Sequence, residues 1–214
     1  MLNVMLGGTF DPVHNGHLRM AVELHERLGG ARLRLMPCHR PPHRDQPGAD
    51  GVTRLGMLRE ALADEPGLMV DPRELEQDRV SYTGETLQQL RSELGTETPL
   101  AMVVGTDAFN AFDRWQGWMQ LPGLAHIIVV NRPGFPLALP EPVATMLEER
   151  RATDASELQR SASGLVLVME LPLLEIAATD VRSRAAAGRS IRYLVPDAVW
   201  RTVRDQGLYR PGTG

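Results

Sequence analysis

Short apolar bursts, each about the length of a buried strand, recur along this chain at residues 2–6, 33–36, 68–70, 100–104, 125–130 and 165–169. Helix-patterned stretches separate them, at residues 14–28, 52–63, 83–94, 143–151, 179–187 and 197–206. Alternation of this kind predicts a Rossmann-like, doubly wound α/β fold, a mainly parallel sheet with helices on both faces. Right-handed crossovers then gather the C-terminal ends of the strands on one edge, so the loops that follow strands are where chemistry is sought. A length of 214 residues suffices for one such core, and a single domain over 1–214 is expected, its last part forming a terminal helical segment.

Charge narrows the partners. A formal net charge of -4 offers no broad attraction to a nucleic-acid backbone, which leaves small molecules as the expected ligands. All 23 basic residues are arginine, so a Walker A lysine and a Schiff-base lysine are both impossible. Arg-biased codon usage accounts for that bias as well as selection at any site does. The lone cysteine, Cys38, permits no internal disulfide, and no apolar run has the length of a membrane span or a secretory leader. A cytoplasmic protein without a membrane partner is expected, and association into a homo-oligomer stays open.

The segment Gly7-Gly8-Thr9-Phe10-Asp11-Pro12-Val13-His14-Asn15-Gly16-His17 follows the first strand and opens the first helix. Unpaired N–H groups at a helix start attract anions, and Gly7 and Gly8 allow the backbone to come close to a ligand. Thr9 adds a hydroxyl. His14 and His17, three positions apart, share a helix face and can each donate to a phosphate oxygen. A His-x-x-His pair alone is as well explained by packing; the full eleven-residue string is not.

That string resembles the HxGH nucleotidyltransferases, and in its details the bacterial nicotinate-nucleotide adenylyltransferases. Four further segments extend the likeness over nearly the whole chain. Pro41-Pro42-His43-Arg44 is similar to a loop that closes over the reacting phosphates, with Arg44 where many members have lysine. Ser81-Tyr82-Thr83-Gly84-Glu85-Thr86-Leu87 starts a helix with capping residues in suitable places; the resemblance implies that Tyr82 and the N–H groups near Thr83 meet the nicotinate carboxylate. Gly105-Thr106-Asp107 precedes Trp115 by the family's spacing, which implies Gly105 and Asp107 on the adenosine side and Trp115 stacked on the pyridine. Read alone, Trp115 is a packing residue, and its neighbour Trp118 is expected in the core. Arg132 matches an Arg-Pro-Gly loop beside the mononucleotide, and Ile176-Ala177-Ala178-Thr179-Asp180-Val181-Arg182 matches an ISSTxIR phosphate clamp. Its two serines are Ala177 and Ala178 here, so backbone N–H groups must replace their hydroxyls.

The resemblance therefore implies adenylyl transfer from ATP to nicotinate mononucleotide within NAD biosynthesis. His14, His17 and Arg182 would be catalytic. Gly7, Gly8, Thr9, Phe10, Gly105, Asp107, Ile176, Thr179 and Arg182 would bind ATP, and Arg44, Tyr82, Thr83, Trp115 and Arg132 the pyridine mononucleotide. Mg²⁺ would come with ATP, with no protein metal site expected; Cys38, His39 and His43 lack a zinc-like ligand set. The rivals are an enzyme for nicotinamide mononucleotide or for both pyridines, a transferase for phosphopantetheine or using CTP, and a non-catalytic nucleotide sensor. The Pro-rich stretches 37–47 and 132–142 are read as active-site loops or lids.

Overall fold

The structure, a computed structural model, describes residues 1–39, 47–77, 80–131 and 136–210. The strands are β1 (Asn3–Gly8), β2 (Arg32–Pro37), β3 (Leu68–Val70), β4 (Leu100–Gly105), β5 (His126–Asn131), β6 (Arg151–Ala152) and β7 (Val166–Glu170). Their helices are α1 (Asn15–Arg27), α2 (Gly51–Ala61), α3 (Thr83–Leu94), α4 (Thr106–Phe109), α5 (Leu121–Leu124), α6 (Glu141–Arg150), α7 (Ala178–Ala186) and α8 (Asp197–Asp205). One seven-stranded sheet runs in the order β3-β2-β1-β4-β5-β7-β6, and β1–β4, β4–β5, β5–β7 and β6–β7 pair in parallel. The order reverses between β1 and β4, the switch point at which open sheets of this class direct their following loops toward ligands.

The expected α/β fold is therefore present, with six expected strands in place and β6 added. Two residues are too few to show a period, which is why β6 had no sequence signal. The short helices α4 and α5 escaped for the same reason. Pro142, expected in a loop, sits in the first turn of α6, where a missing N–H costs no helical hydrogen bond.

Contacts divide the chain into two compact units. The first comprises Met1–Leu6, Glu23–Arg34 and Tyr82–Pro172. Its strands bury Val4, Ala101, Ile127, Ile128 and Val166 completely, the near-continuous apolar pattern of strands covered on both faces. Arg91 of α3 ties this unit together by donating to four carbonyls, those of Leu124 at 2.7 Å, Gly95 at 3.2 Å, Thr98 at 2.6 Å and Ala162 at 2.5 Å. Burial depresses its pKa, while the nearby Glu97 opposes that shift.

The second unit comprises Gly7–Val22, Leu35–Ser81 and Leu173–Gly214. Here α8 packs Val199 and Val203 toward α2, and both valines are buried. Among the described residues no helix is long and apolar enough to cross a membrane.

Candidate active site

The glycine turn of the second unit closes on itself through short-range packing. Gly8 lies under the ring of Phe10, so closely that a Cβ there would fall 3.0 Å from Cζ of that ring. Phe10 has φ 48°, is buried, and turns the edge of its ring to His17 with centroids 5.0 Å apart. This conformation, uncommon for a residue with a Cβ, is held in place by that packing. Cys38 fixes the other side, its N–H donating to the Gly8 carbonyl at 2.9 Å and its thiol to the Thr9 hydroxyl at 3.7 Å. Burial pushes the Cys38 pKa up, so it remains a neutral thiol near neutral pH.

The helix starts at Asn15, one residue later than expected. His14 lies just outside, its carbonyl already accepting from His17 N–H at 2.9 Å and Leu18 N–H at 3.2 Å. The two imidazoles stack with centroids 3.6 Å apart and planes 22° from parallel. Each Nδ1 accepts a backbone N–H from the other residue, His14 N to His17 Nδ1 at 3.3 Å and His17 N to His14 Nδ1 at 3.4 Å. An Nδ1 that accepts cannot carry the proton, so in both neutral rings Nε2 is the N–H donor. Gly16 is what makes room, since a Cβ there would lie 3.0 Å from His14 Nδ1 and 3.2 Å from the Leu174 carbonyl. Asn15 anchors the helix start, through its N–H to Leu194 O at 2.9 Å and its side chain to Tyr193 O at 2.8 Å.

Two residues that sequence reasoning missed organise this loop. Asp11 is only 3% exposed, so each lone pair must find a donor inside the protein. Its carboxylate accepts from Gly48 N at 2.7 Å, Ala49 N at 3.1 Å and the Tyr209 hydroxyl at 2.8 Å. Arg182 NH1 donates to the Asp11 backbone carbonyl at 2.7 Å and lies 3.8 Å from its Oδ2. Thus the predicted clamp arginine of α7 is docked on the same loop as the histidines. Tyr209 keeps its proton far above the usual phenol range, because of burial first and the adjacent Asp11 charge second. Arg54 of α2, 1% exposed, donates to Thr9 O at 2.6 Å and Ala49 O at 3.2 Å and so braces the turn from beneath. Thr179 is exposed in the first turn of α7, Ile176 is half-buried just before it, and this helix has no side-chain cap at its Ala177 start.

In the first unit, Gly105 ends β4 and is exposed with open space where a Cβ would be. Asp107, also exposed, stands in the first turn of α4, while Thr106 donates to Asn131 Oδ1 at 2.9 Å. At the start of α3 the expected capping side chains do not cap. Tyr82 is the N-cap, without a side-chain hydrogen bond, and its carbonyl accepts from Glu85 N at 3.1 Å and Thr86 N at 3.2 Å. The serine and threonine flanking Tyr82 follow a local rule that the chain's course overrides. Trp115 is half-buried and tilted against Phe112 with centroids 5.3 Å apart. Trp118, expected in the core, is also only half-buried, and meets Phe112 edge-on at 6.2 Å. Tyr82 and Gln116 line one cavity of about 130 Å³, which brings the α3 start close to the segment carrying Trp115.

Residues 5–184 match the model of the cytidylyltransferase-like family. The chain is 52% identical to a protein of Marinobacter nauticus named probable nicotinate-nucleotide adenylyltransferase, over 100% of both chains. The chain belongs to this adenylyltransferase family. A Cellvibrio japonicus member with the same name is 46% identical, over 96% of this chain and 97% of its own. Among solved structures, nicotinic acid mononucleotide adenylyltransferase of Plasmodium falciparum, complexed with NaAD, superposes with a TM-score of 0.71 over 98% of each chain; at 14% identity that likeness concerns the fold.

Two of the residues expected to contact the mononucleotide in this adenylyltransferase family, Arg44 and Arg132, lie outside the described residues, as does Pro41-Pro42-His43. Among the described residues no group of three or more His, Cys, Asp or Glu side chains converges as a metal site.

Proposed function

We propose that the chain transfers the adenylyl group of ATP to nicotinate mononucleotide, releasing pyrophosphate and forming deamido-NAD, as a cytoplasmic enzyme of NAD biosynthesis. The observation that carries this reading is the stacked His14–His17 pair, whose reciprocal Nδ1 contacts assign both Nε2–H groups to donation. Donors fixed before the substrate arrives stabilise the charge that builds on the α-phosphate without reorganising during reaction. Arg182, held by Asp11, offers the remaining N–H groups of its fork to the phosphates.

The attacking group is the mononucleotide's own phosphate. It is ionised at neutral pH, so the protein supplies alignment and charge compensation and needs no general base. Gly7, Gly8, Thr9, Phe10, Gly105, Asp107, Ile176 and Thr179 serve the ATP side. Tyr82, Thr83 and Trp115, with Arg44 and Arg132, serve the pyridine nucleotide. A carboxylate suits the N–H groups at the start of α3, where the N-cap residue Tyr82 makes no side-chain capping bond.

Asp11, the carboxylate within the phosphate turn, is already engaged by three donors and so is unsuited to ligate a metal. The residues fit a hydrated Mg²⁺ bound to ATP itself, which supplies further neutralisation of phosphate charge.

The test is pyrophosphate release with ATP and Mg²⁺, comparing nicotinate mononucleotide with its nicotinamide counterpart in wild type and His17→Ala. We expect strong preference for the acid and a drop of about 10²–10³ in kcat for the variant, the usual effect of losing one preorganised oxyanion donor. Equal use of both pyridines would remove the carboxylate reading at Thr83. No release with either would overturn the proposal.

A further inference from the structure

The C-terminal part of the second unit is charged unlike the rest of the chain. From the start of α7 to Arg210 there are seven arginines and three aspartates, while the remainder has sixteen arginines against twenty-four carboxylates. An acidic chain thus concentrates positive charge in one short stretch. Three of the seven arginines, Arg189, Arg204 and Arg210, line a cavity of about 280 Å³ at the end of α7 and along α8, together with Ser190 and Trp200 and with no carboxylate in the lining.

The local geometry fixes several of these cations in place. Guanidinium carbons of Arg192 and Arg204 sit 4.8 and 4.6 Å from the centroid of the Trp200 ring, contacts worth about 0.5–1 kcal/mol each at exposed sites. Each aspartate of the stretch pairs with one arginine, Asp180 with Arg184 at 2.9 Å, Asp205 with the cavity-lining Arg204 at 2.6 Å and Asp197 with Arg192 at 3.9 Å, so seven arginines against three aspartates leave the stretch positive. Arg189 has no ion-pair partner among the described residues. Gly188, at φ 67°, closes the end of α7 by donating to Ala185 O at 3.0 Å, and Arg189 N–H reaches Arg184 O at 2.8 Å. The terminal carbonyls are thereby engaged within the chain, and the residue after the turn is delivered to the cavity.

We propose that this cavity is a second anion site, one that takes an oligophosphate of two or more linked phosphoryl groups. Planar guanidinium forks match phosphate oxygens pairwise, and several of them around one space select for several phosphoryl groups over a single carboxylate. Val203 and Leu208 add an apolar part to the lining. No residue of the Gly7–His17 turn and no part of Arg182 lines it, so the site is independent of the phosphate grip and of the function proposed for it.

The experiment is calorimetric titration with inorganic tripolyphosphate of the full chain carrying His14→Ala/His17→Ala, which removes both imidazole donors of the phosphate grip and leaves the cavity free. This variant is expected to bind tripolyphosphate, and the same background with Arg189→Ala/Arg204→Ala to bind it at least about tenfold more weakly, having lost two charge-assisted contacts. Arg189→Glu is the second variant; both changes lie on the exposed side, and unchanged melting temperatures verify the fold. A parallel titration with GTP separates the sources: comparable affinity assigns the phosphate tail of a nucleotide, weaker binding a free oligophosphate. No binding to the double-histidine variant, or binding indifferent to both arginine variants, would overturn the proposal.

Discussion

Replacing Tyr209 by Phe keeps a ring that packs against Gly48, where a Cβ would lie 3.0 Å from Tyr209 Cδ1, and deletes only the hydroxyl 2.8 Å from Asp11 Oδ1. Asp11 is 3% exposed, so water has little access to replace the lost donor, and two backbone N–H groups remain for a buried carboxylate. A hydrogen bond to a charged group contributes about 1.5–3 kcal/mol, and we take about 2 kcal/mol as the expected loss. For a chain of this size that corresponds to roughly 4–8 °C in melting temperature. Thermal and urea unfolding at pH 8 measure it. Because the Asp11 carbonyl also receives Arg182, the KM for ATP should rise more than kcat falls.

The alkaline limb gives an independent check on the same bond. The Tyr209 pKa is raised in the folded protein, whereas the unfolded phenol ionises near its ordinary value of about 10. A raised folded pKa contributes stability that is complete below the unfolded value and is lost as pH climbs above it, by about 1.4 kcal/mol per pH unit. The gap between wild type and Tyr209→Phe should therefore narrow from pH 9 to pH 11, since phenylalanine has nothing to ionise. A loss under about 0.5 kcal/mol at pH 8, or a gap that stays constant through the alkaline range, would refute the assignment of Tyr209 as a donor to a buried carboxylate.

Gly16→Ala tests the room beneath the histidines. Alanine favours a helix over glycine by about 1 kcal/mol, so the melting temperature should hardly fall, yet a Cβ 3.0 Å from His14 Nδ1 must displace that ring and lower kcat/KM by about 10²-fold; wild-type turnover would show that ring placement is immaterial. His126 tests acid stability. Its Nε2 donates to Ser161 O at 2.9 Å while Nδ1 accepts Leu165 N–H at 3.0 Å, an arrangement that only the neutral ring satisfies, and burial accordingly depresses its pKa. A depressed histidine pKa contributes stability that is present above about 6.5 and is lost as pH falls toward the folded value. Urea unfolding between pH 7.5 and pH 5 should therefore show a steeper acid decline for wild type than for His126→Gln, and parallel declines would count against the neutral-ring argument.

What the sequence made legible is what it writes contiguously or periodically. The alternation of apolar bursts and helical stretches sufficed for the sheet and its main helices, and the Gly7–His17 string marked the turn on which the two histidines stack and Arg182 docks. Spacing alone also put His14 and His17 on one face, but it could not assign their proton positions, because those depend on where two backbone N–H groups point. Asp11 was invisible as an organiser for a different reason. Its partners Gly48, Ala49, Arg182 and Tyr209 stand 37, 38, 171 and 198 positions away, and no local pattern connects an acidic turn residue to a tyrosine near the other end of the chain. Arg54 was hidden likewise: in a helix a lone arginine reads as solvated surface, yet here it is buried and bonded to a carbonyl 45 positions earlier. At the start of α3 the local rule misled, since Ser81 and Thr83 have capping chemistry but Tyr82 occupies the cap. A helix start whose N-cap side chain makes no capping bond is also one that can receive a ligand carboxylate, so the departure from the capping rule and the proposed substrate preference have the same physical cause.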